Sequence, residues 1–173
     1  MIFTALGPLT AYRMHLPKWA TEPTSGAGAA RHGGRANRPG VSALYLALEP
    51  ETALQEYQQL SPLMPPGTLV SYELQVSRVV DFRAGYEPPV WSPPWQEFNC
   101  DWRQLWFDQR TEPPSWSLGD EAIAASAKGI AFASQIAPGG TNLVIYTDTL
   151  DAGDRLSAYD PAGVLPKNQD SWR

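Results

Sequence analysis

Apolar and polar residues alternate along several stretches of this chain, and a period of two predicts β-strands. The clearest stretch is "TLVSYELQVSRVVDF" at Thr68–Phe82, which predicts one long strand. Similar patterns predict a first strand at Leu9–Leu16 and another at Val41–Leu48. The run "TNLVIYTDTL" at 141–150 predicts a final buried strand, and "IAFAS" before it is expected to lead into a loop.

Helical patterns are shorter and fewer than the strand patterns. They predict helices at Pro50–Leu60, at Asp101–Gln109 and in "SLGDEAIAASAKG" at 117–129, the last ended by Gly129. The strands are separated by irregular loops rather than by regular helices, which favours an α+β fold over a doubly wound sheet. No repeat or linker divides the chain, so one domain spanning residues 1–173 is expected.

Two long segments lack a regular period. Residues 23–40, "PTSGAGAARHGGRANRPG", predict a glycine-rich loop of the kind that often carries function. Residues 86–119 are dense in proline and tryptophan and predict a wrap whose indoles cover the core. The last twenty residues are expected to be less regular.

The amino-acid composition excludes several classes of function. The net charge is −5 without a run of lysine or arginine, which excludes nucleic-acid binding as the main activity but leaves room for a nucleotide ligand. One cysteine, Cys100, and two histidines, His15 and His32, form neither a disulfide framework nor a zinc centre, so no metal is expected. The N-terminus does not resemble a signal peptide and no stretch reaches transmembrane length, so a cytoplasmic protein is expected.

The candidate chemistry lies in "GGRANRPGVSALYLALEPETALQEY", residues 33–57. Alternation in its strand divides the side chains between two faces. The face expected to meet the core carries Ser42, Leu44, Leu46 and Leu48, and the opposite face carries Val41, Ala43, Tyr45 and Ala47. Tyr45 therefore stands between two alanines, with room for its ring to lie over a flat ligand.

An arginine and a glutamate flank this tyrosine along the chain. Arg35 follows two glycines, where the backbone can approach a ligand and a guanidinium can grip a phosphate or a carboxylate. Glu56 lies at the edge of the apolar stripe predicted for its helix, which consists of Ala53, Leu54, Tyr57 and Leu60. Taken singly, the three residues also fit a solvated arginine, a core-edge aromatic and a solvated glutamate.

Together with "NCDWRQL", "PPSWSLGDEA" and "GIAFASQIAPGGTNLVIY", this unit resembles the RES-domain family over residues 12 to about 146. Members are toxins of bacterial type II toxin–antitoxin pairs whose antitoxins carry an Xre-like helix-turn-helix. The characteristic side chains of the family correspond here to Arg13, Arg35, Tyr45, Glu56 and Ser134.

The resemblance implies an ADP-ribosyltransferase-like α+β fold with mostly antiparallel strands, and NAD+ as the substrate. It implies a toxin that releases nicotinamide and transfers ADP-ribose to a target protein, with an NAD+ glycohydrolase or phosphorylase as the alternative. A non-catalytic binding module and an NAD+ sensor are the other classes considered. The expected partners are an Xre-like antitoxin that covers the cleft and a protein that receives ADP-ribose, without direct binding of nucleic acid or membrane.

The resemblance also implies roles for the matched residues. Glu56 would hold a ribose hydroxyl and stabilise positive charge on the ribose, and Tyr45 would stack on nicotinamide or cap the ribose. Arg35 and Arg13 would bind pyrophosphate or ribose oxygens. Ser134 would donate a hydrogen bond to the nucleotide or to Glu56.

Three further residues complete the sequence-based expectations. Asn142 is expected to tie a loop to its strand, and His32 is expected to be a solvated loop residue. Ala36 stands where the family usually has an aromatic residue, and is expected to open the pocket or change the fit to a partner. The stretch "GAGAARHGG" lacks the strand and helix context of a dinucleotide-binding fingerprint, so binding of the dehydrogenase type is not expected.

Overall fold

In a computed structural model, residues 1–170 are described, and their strands form one sheet of mixed direction. The strands are β1 (Phe3–His15), β2 (Ala43–Ala47), β3 (Thr68–Phe82), β4 (Gly129–Ala133), β5 (Thr141–Tyr146) and β6 (Arg155–Ala158). Their order is β1-β2-β5-β4-β3-β6, and β1 also pairs with β3, so the first five strands form a closed circuit. The predicted domain extends to residue 173, and residues 171–173 lie outside the described part.

The helices are short and lie between the strands. They are α1 (Ala27–His32), α2 (Pro50–Gln58) and α3 (Pro114–Ala124), with 3-10 turns at Pro17–Trp19, Pro93–Asn99 and Thr147–Thr149 and a π-helical segment at Gln104–Asp108. Within residues 1–170, no helix has the length and apolar character needed to cross a membrane.

The strand predictions agree well with the structure. The bounds of β3 are those predicted, β2 lies within Val41–Leu48, and β1 begins six residues earlier than the predicted Leu9. Among the described strands all pairings are antiparallel except that of β3 with β4. An α+β sheet with mostly antiparallel strands is therefore what the chain forms.

Two local predictions were wrong. The glycine-rich loop contains helix α1. The segment "IAFAS" leads into the expected loop after forming most of strand β4, and the less regular C-terminal region contains the short strand β6. Helix α3 ends at Ala124 and not at Gly129, because Ser126 takes a left-handed backbone conformation with φ of 60°. Gly129 instead begins β4, where it pairs with both β3 and β5.

Two apolar layers cover the two faces of the sheet. The alternation predicted for β2 is seen directly, because Leu44 and Leu46 pack in one layer while Ala43 and Tyr45 contact the other. The proline- and tryptophan-rich wrap covers this second layer, as predicted, with Trp91 and Trp95 buried against the sheet. Because both layers are filled, the sheet is a rigid support for side chains at its edge.

Helix α2 is fixed to the sheet at its N-terminal end. The Oε2 atom of Glu49 accepts hydrogen bonds of 2.8 Å from Thr52 Oγ1 and from the backbone N–H of Thr141. The helix ends at Gln58, so Leu60, which was predicted to belong to the apolar stripe, is 90% exposed. The anchor at Glu49 sets the position of Glu56 two turns further along the helix.

Candidate active site

A cavity of about 390 Å³ opens where β1, β2 and α2 meet the loop at residues 33–38. Four of the five predicted site residues line this cavity, and they are Arg13, Arg35, Tyr45 and Glu56. We call these four residues the inner wall. Ser134, the fifth, is buried behind Glu56 and does not line the cavity.

Glu56 is held by hydrogen-bond donors on both of its carboxylate oxygens. Oε1 accepts from Ser134 Oγ at 2.7 Å and from Asn142 Nδ2 at 2.5 Å. Oε2 accepts from Gln59 Nε2 at 3.3 Å, and Gln59 Nε2 also donates to the backbone oxygen of Glu56. A carboxylate that accepts from three side chains is held in one orientation.

Ser134 acts on Glu56 from a fixed position. Its hydroxyl oxygen accepts the backbone N–H groups of Ile136 at 3.1 Å and Ala137 at 2.8 Å, while its proton points to Glu56. Of the two acceptors expected for Ser134, the nucleotide and Glu56, the structure shows the bond to Glu56.

Asn142 contributes more to the site than the sequence predicted. It was expected only to tie a loop to its strand, but it lines the cavity and donates directly to Glu56. Its position could have been inferred from strand pairing, since Asn142 lies opposite Ala47, two residues along β2 from Tyr45. Gln59 was missed as well, because it follows the predicted helix stripe without a signal of its own.

Tyr45 is joined to the loop at residues 33–38 through its hydroxyl. The hydroxyl accepts the backbone N–H of Ala36 at 2.9 Å and donates to Asn37 Oδ1 at 2.7 Å. A Cβ atom on Gly34 would come within 2.4 Å of the same hydroxyl, so the loop needs glycine at this position to approach so closely. Since the hydroxyl is occupied, the ring of Tyr45 is the part offered to the cavity.

Asn37 organises the loop from its buried interior, and its side chain uses every hydrogen-bonding group that it has. While Oδ1 accepts from Tyr45, Nδ2 lies 3.1 Å from three carbonyl oxygens, those of Ala29, Arg38 and Val41. Asn37 thus connects α1, the loop and β2 behind the inner wall.

Arg35 leaves part of its guanidinium available to the cavity. Its Nη1 donates to the carbonyl oxygens of Phe98 at 3.1 Å and Cys100 at 3.0 Å. No other hydrogen bond of the Arg35 side chain occurs among the described residues, so Nε and Nη2 remain for a ligand. Burial lowers the pKa of Arg35 and nearby Arg103 acts in the same direction, while Tyr45 and Glu56 oppose them. An arginine keeps its charge despite such a shift.

Arg13 lies deeper than Arg35. Its Nη1 donates to the backbone oxygen of Tyr45 at 2.8 Å, and its buried Nε has no hydrogen-bond partner among residues 1–170. Burial lowers the pKa of Arg13, with the tyrosines Tyr72 and Tyr45 acting against that shift. Arg13 therefore supplies positive charge at the bottom of the cavity and holds β2 at Tyr45.

Ala36 lies behind the wall of the cavity and not in it. It is fully buried in the apolar layer beneath the loop and lies outside the cavity lining. Its carbonyl oxygen accepts from Tyr146 Oη at 2.9 Å, and a Cβ atom on Gly119 would lie 2.1 Å from that oxygen. Ala36 is thus packed against α3, and the effect of having alanine in place of an aromatic residue stays a prediction.

The remaining candidates lie away from this site. His32 is exposed at the end of α1 and does not line the cavity. In the part of the chain that the structure describes, no cluster of three or more histidine, cysteine, aspartate or glutamate side chains could hold a metal ion.

No curated protein sequence matches this chain significantly. The crystal structure of the M. tuberculosis MbcT–MbcA toxin–antitoxin complex contains a similar chain, with a TM-score of 0.57 and 21% identity. That alignment covers 86% of this chain and 81% of the other. The expected fold class, an ADP-ribosyltransferase-like α+β fold, is confirmed by this likeness.

The match to a family model is stronger evidence of relationship than the structural likeness. The model of the RES domain matches residues 10–168, which is most of the chain and includes every residue of the inner wall. The chain therefore belongs to the RES-domain family.

Proposed function

We propose that this protein is the toxin of a type II toxin–antitoxin pair, and that it acts in the cytoplasm by cleaving NAD+ and transferring ADP-ribose to a target protein. The family, the likeness to a chain of a toxin–antitoxin complex and the inner wall of the cavity all support this proposal. The observation that carries it is the geometry of Glu56, a carboxylate fixed by donors at one end of a cavity that contains three arginines.

Cleavage of the nicotinamide–ribose bond requires little from the protein besides charge stabilisation. The bonding electron pair leaves with nicotinamide, which departs as a neutral pyridine and needs no proton. Positive charge then develops at the ribose carbon, where one carboxylate can stabilise it in place of the usual pair of glycosidase carboxylates. The acceptor forms a bond to this carbon and releases its proton, which completes the transfer.

The arrangement of Glu56 suits this role better than the role of a proton donor or a nucleophile. All of its observed partners donate to it, which suits a group that stabilises positive charge. Ser134 and Asn142 hold Oε1, while Oε2 is bonded only by Gln59 at 3.3 Å. Oε2 is therefore the oxygen that would receive a ribose hydroxyl when Gln59 moves aside.

Tyr45, Arg35 and Arg13 would hold the remaining parts of the substrate. The ring of Tyr45 faces the cavity with its hydroxyl tied back, which suits stacking on nicotinamide or capping of the ribose. The unbonded nitrogens of Arg35 would bind phosphate oxygens, and Arg13 would add positive charge at the bottom of the cavity.

We propose as the partner an antitoxin of the Xre-like type that covers this cavity. The segment after Gln59 supports a contact there, since it exposes three large apolar side chains in a short stretch. These are Leu60, Leu63 and Met64, which are 90%, 77% and 44% exposed.

The test is to incubate the purified protein with NAD+ and to measure free nicotinamide together with the fate of the ADP-ribose. Samples contain buffer alone, buffer with phosphate, or a cell lysate with labelled NAD+. We expect nicotinamide release and a labelled protein band in the lysate. Free ADP-ribose or its 1-phosphate without a labelled band would assign a glycohydrolase or a phosphorylase, and no nicotinamide under any condition would contradict the enzyme function.

A further inference from the structure

Three residues that line the cavity lie outside the inner wall. They are Gln59, at the end of α2, and the neighbouring pair Trp102 and Arg103, which come from the proline- and tryptophan-rich wrap. We call them the rim. All three line the cavity together with the inner wall, so a ligand long enough to extend beyond the inner wall can reach them.

The charge of the cavity indicates what such a ligand carries. The charged side chains in its lining are Arg13, Arg35, Arg103 and Glu56, which gives a net charge of +2 in a protein whose total charge is −5. None of the ion pairs among residues 1–170 involves any of these arginines. Unpaired positive charge that faces one cavity favours an anion, and two negative charges would balance it.

Arg103 is the arginine most free to bind that anion. Its side chain is exposed, and its one hydrogen bond among the described residues runs from Nη1 to Gln59 Oε1 at 3.3 Å. The guanidinium lies over the Trp102 ring, 4.9 Å from its centre, so a charge and an aromatic group lie together at the rim.

Gln59 shows which chemical groups fit between the rim and the inner wall. Its amide nitrogen donates to Glu56 Oε2 and its amide oxygen accepts from Arg103 Nη1, so one amide group joins the two. Gln59 has φ of 54°, an uncommon conformation for a residue other than glycine, at the point where α2 ends. A ligand that replaces this amide must offer a donor to Glu56 and an acceptor to Arg103. A ribose hydroxyl followed by a phosphate oxygen satisfies both.

We propose that Trp102 and Arg103 form an outer subsite for the adenosine diphosphate half of the substrate, with Arg103 on the diphosphate and Trp102 stacked on the adenine. This inference rests on the proposed function for the identity of the substrate. It assigns to the rim the selection of a dinucleotide over a shorter nicotinamide compound. Gln59 fills the gap between Glu56 and Arg103 until the substrate enters.

The test measures binding of ADP by titration calorimetry, which requires no turnover, and steady-state release of nicotinamide. For Arg103→Gln and Trp102→Ala we expect ADP to bind about ten-fold more weakly, as loss of a base-stacking or phosphate contact predicts. With NAD+ as substrate, KM should rise about ten-fold while kcat stays within two-fold. With nicotinamide riboside, which has neither phosphate nor adenine, the rates should equal those of the unchanged protein. Trp102→Phe keeps an aromatic surface and should restore most of the affinity for ADP.

The chain offers a matched control pair outside the cavity. Lys18 Nζ lies 5.1 Å from the centre of the exposed Trp19 ring, and neither residue lines the cavity. Lys18→Gln and Trp19→Ala should leave ADP affinity and KM unchanged. If ADP affinity is unchanged in Arg103→Gln and Trp102→Ala, the outer subsite is wrong even where NAD+ is cleaved. If ADP binds as expected but no nicotinamide is released, the proposed reaction fails and the subsite stands.

Discussion

The inner wall and the rim of the cavity face each other but are held in different ways. Glu56 and Tyr45 have their polar groups bonded to partners that are themselves buried, such as Ser134 and Asn37. At the rim, Arg103 is exposed and its one hydrogen bond, to Gln59, measures 3.3 Å. Under the proposed function, the preorganised wall would stabilise charge in the reaction and the loosely held rim would admit the substrate.

The two donors to the Glu56 carboxylate test this difference between wall and rim, because one donor belongs to each region. Asn142→Ala removes the inner donor to Glu56 and should lower kcat for nicotinamide release by about 10²-fold, as for loss of a preorganised hydrogen-bond donor. Gln59→Ala removes the rim donor to Oε2 and should change kcat by less than three-fold. Equal losses in kcat for the two variants would show that the wall donor and the rim donor contribute equally to catalysis.

The two histidines extend the comparison to stability, because one lies behind the inner wall and the other is exposed. His15 Nε2 lies 2.6 Å from Tyr72 Oη, whose proton is donated to Pro23 O, so the neutral ring donates to the tyrosine. Burial, and then the charge of Arg13, lowers the pKa of His15 to about 4 from 6.5. Below pH 6.5 the unfolded chain therefore binds a proton that the folded chain does not.

The contribution of neutral His15 to the free energy of unfolding should accordingly be complete above pH 6.5. It should be lost as the pH drops from 6.5 to about 4, by about 3 kcal/mol in all. Urea denaturation at a series of pH values measures this loss. His15→Gln should remove that part of the pH dependence, and His32→Gln, at the exposed position, should leave it in place. A pH dependence that is the same in the His15→Gln variant would contradict the assignment.

Asn37 and Arg38 are neighbours on the loop that differ in burial. Asn37→Ala removes the amide donor shared by three carbonyl oxygens and the acceptor of the Tyr45 hydroxyl proton, and should lower the free energy of unfolding by about 2 kcal/mol. Urea denaturation gives the value, and the near-ultraviolet signal of the tyrosines reports the state of Tyr45. A loss below 0.5 kcal/mol would mean that Asn37 does not hold the inner wall.

The smallest effect is expected for Arg38. Its guanidinium bonds Asp120 and Glu112 on the surface of the protein, where solvent weakens such pairs. Arg38→Gln should therefore cost less than about 1 kcal/mol of unfolding free energy and leave kcat unchanged. A larger cost than that of Asn37→Ala would show that the loop is held from its surface and not from its interior.

The sheet could be predicted from the sequence where alternation was long and apolar. β3 was predicted with its observed bounds, because fifteen residues with a period of two leave little freedom in register. β6 could not be predicted in the same way, since "RLSA" is a four-residue strand at the edge of the sheet. Helix α1 was hidden for a similar reason, because "AGAARH" contains no large apolar residue to mark a buried face.

The candidate site shows the same contrast between local patterns, which the sequence indicates, and long-range contacts, which it does not. The order of Arg35, Tyr45 and Glu56 along the chain indicated a shared cleft, and the structure places these residues around one cavity. The contact between Asn142 and Glu56 joins residues 86 positions apart, which only the pairing of β2 with β5 brings together. The rim depends on a further long-range contact, between Gln59 and Arg103, which no local pattern indicates.

The most direct test of the central claim is the rate of nicotinamide release from NAD+ by Glu56→Gln compared with the unchanged protein. Glutamine keeps the size of the side chain and removes the negative charge, so ADP should bind equally well while kcat falls by about 10²- to 10³-fold. Circular dichroism of both proteins checks that the fold is the same. Nicotinamide release by a folded Glu56→Gln variant at the rate of the unchanged protein would contradict the claim that the charge of Glu56 drives the reaction.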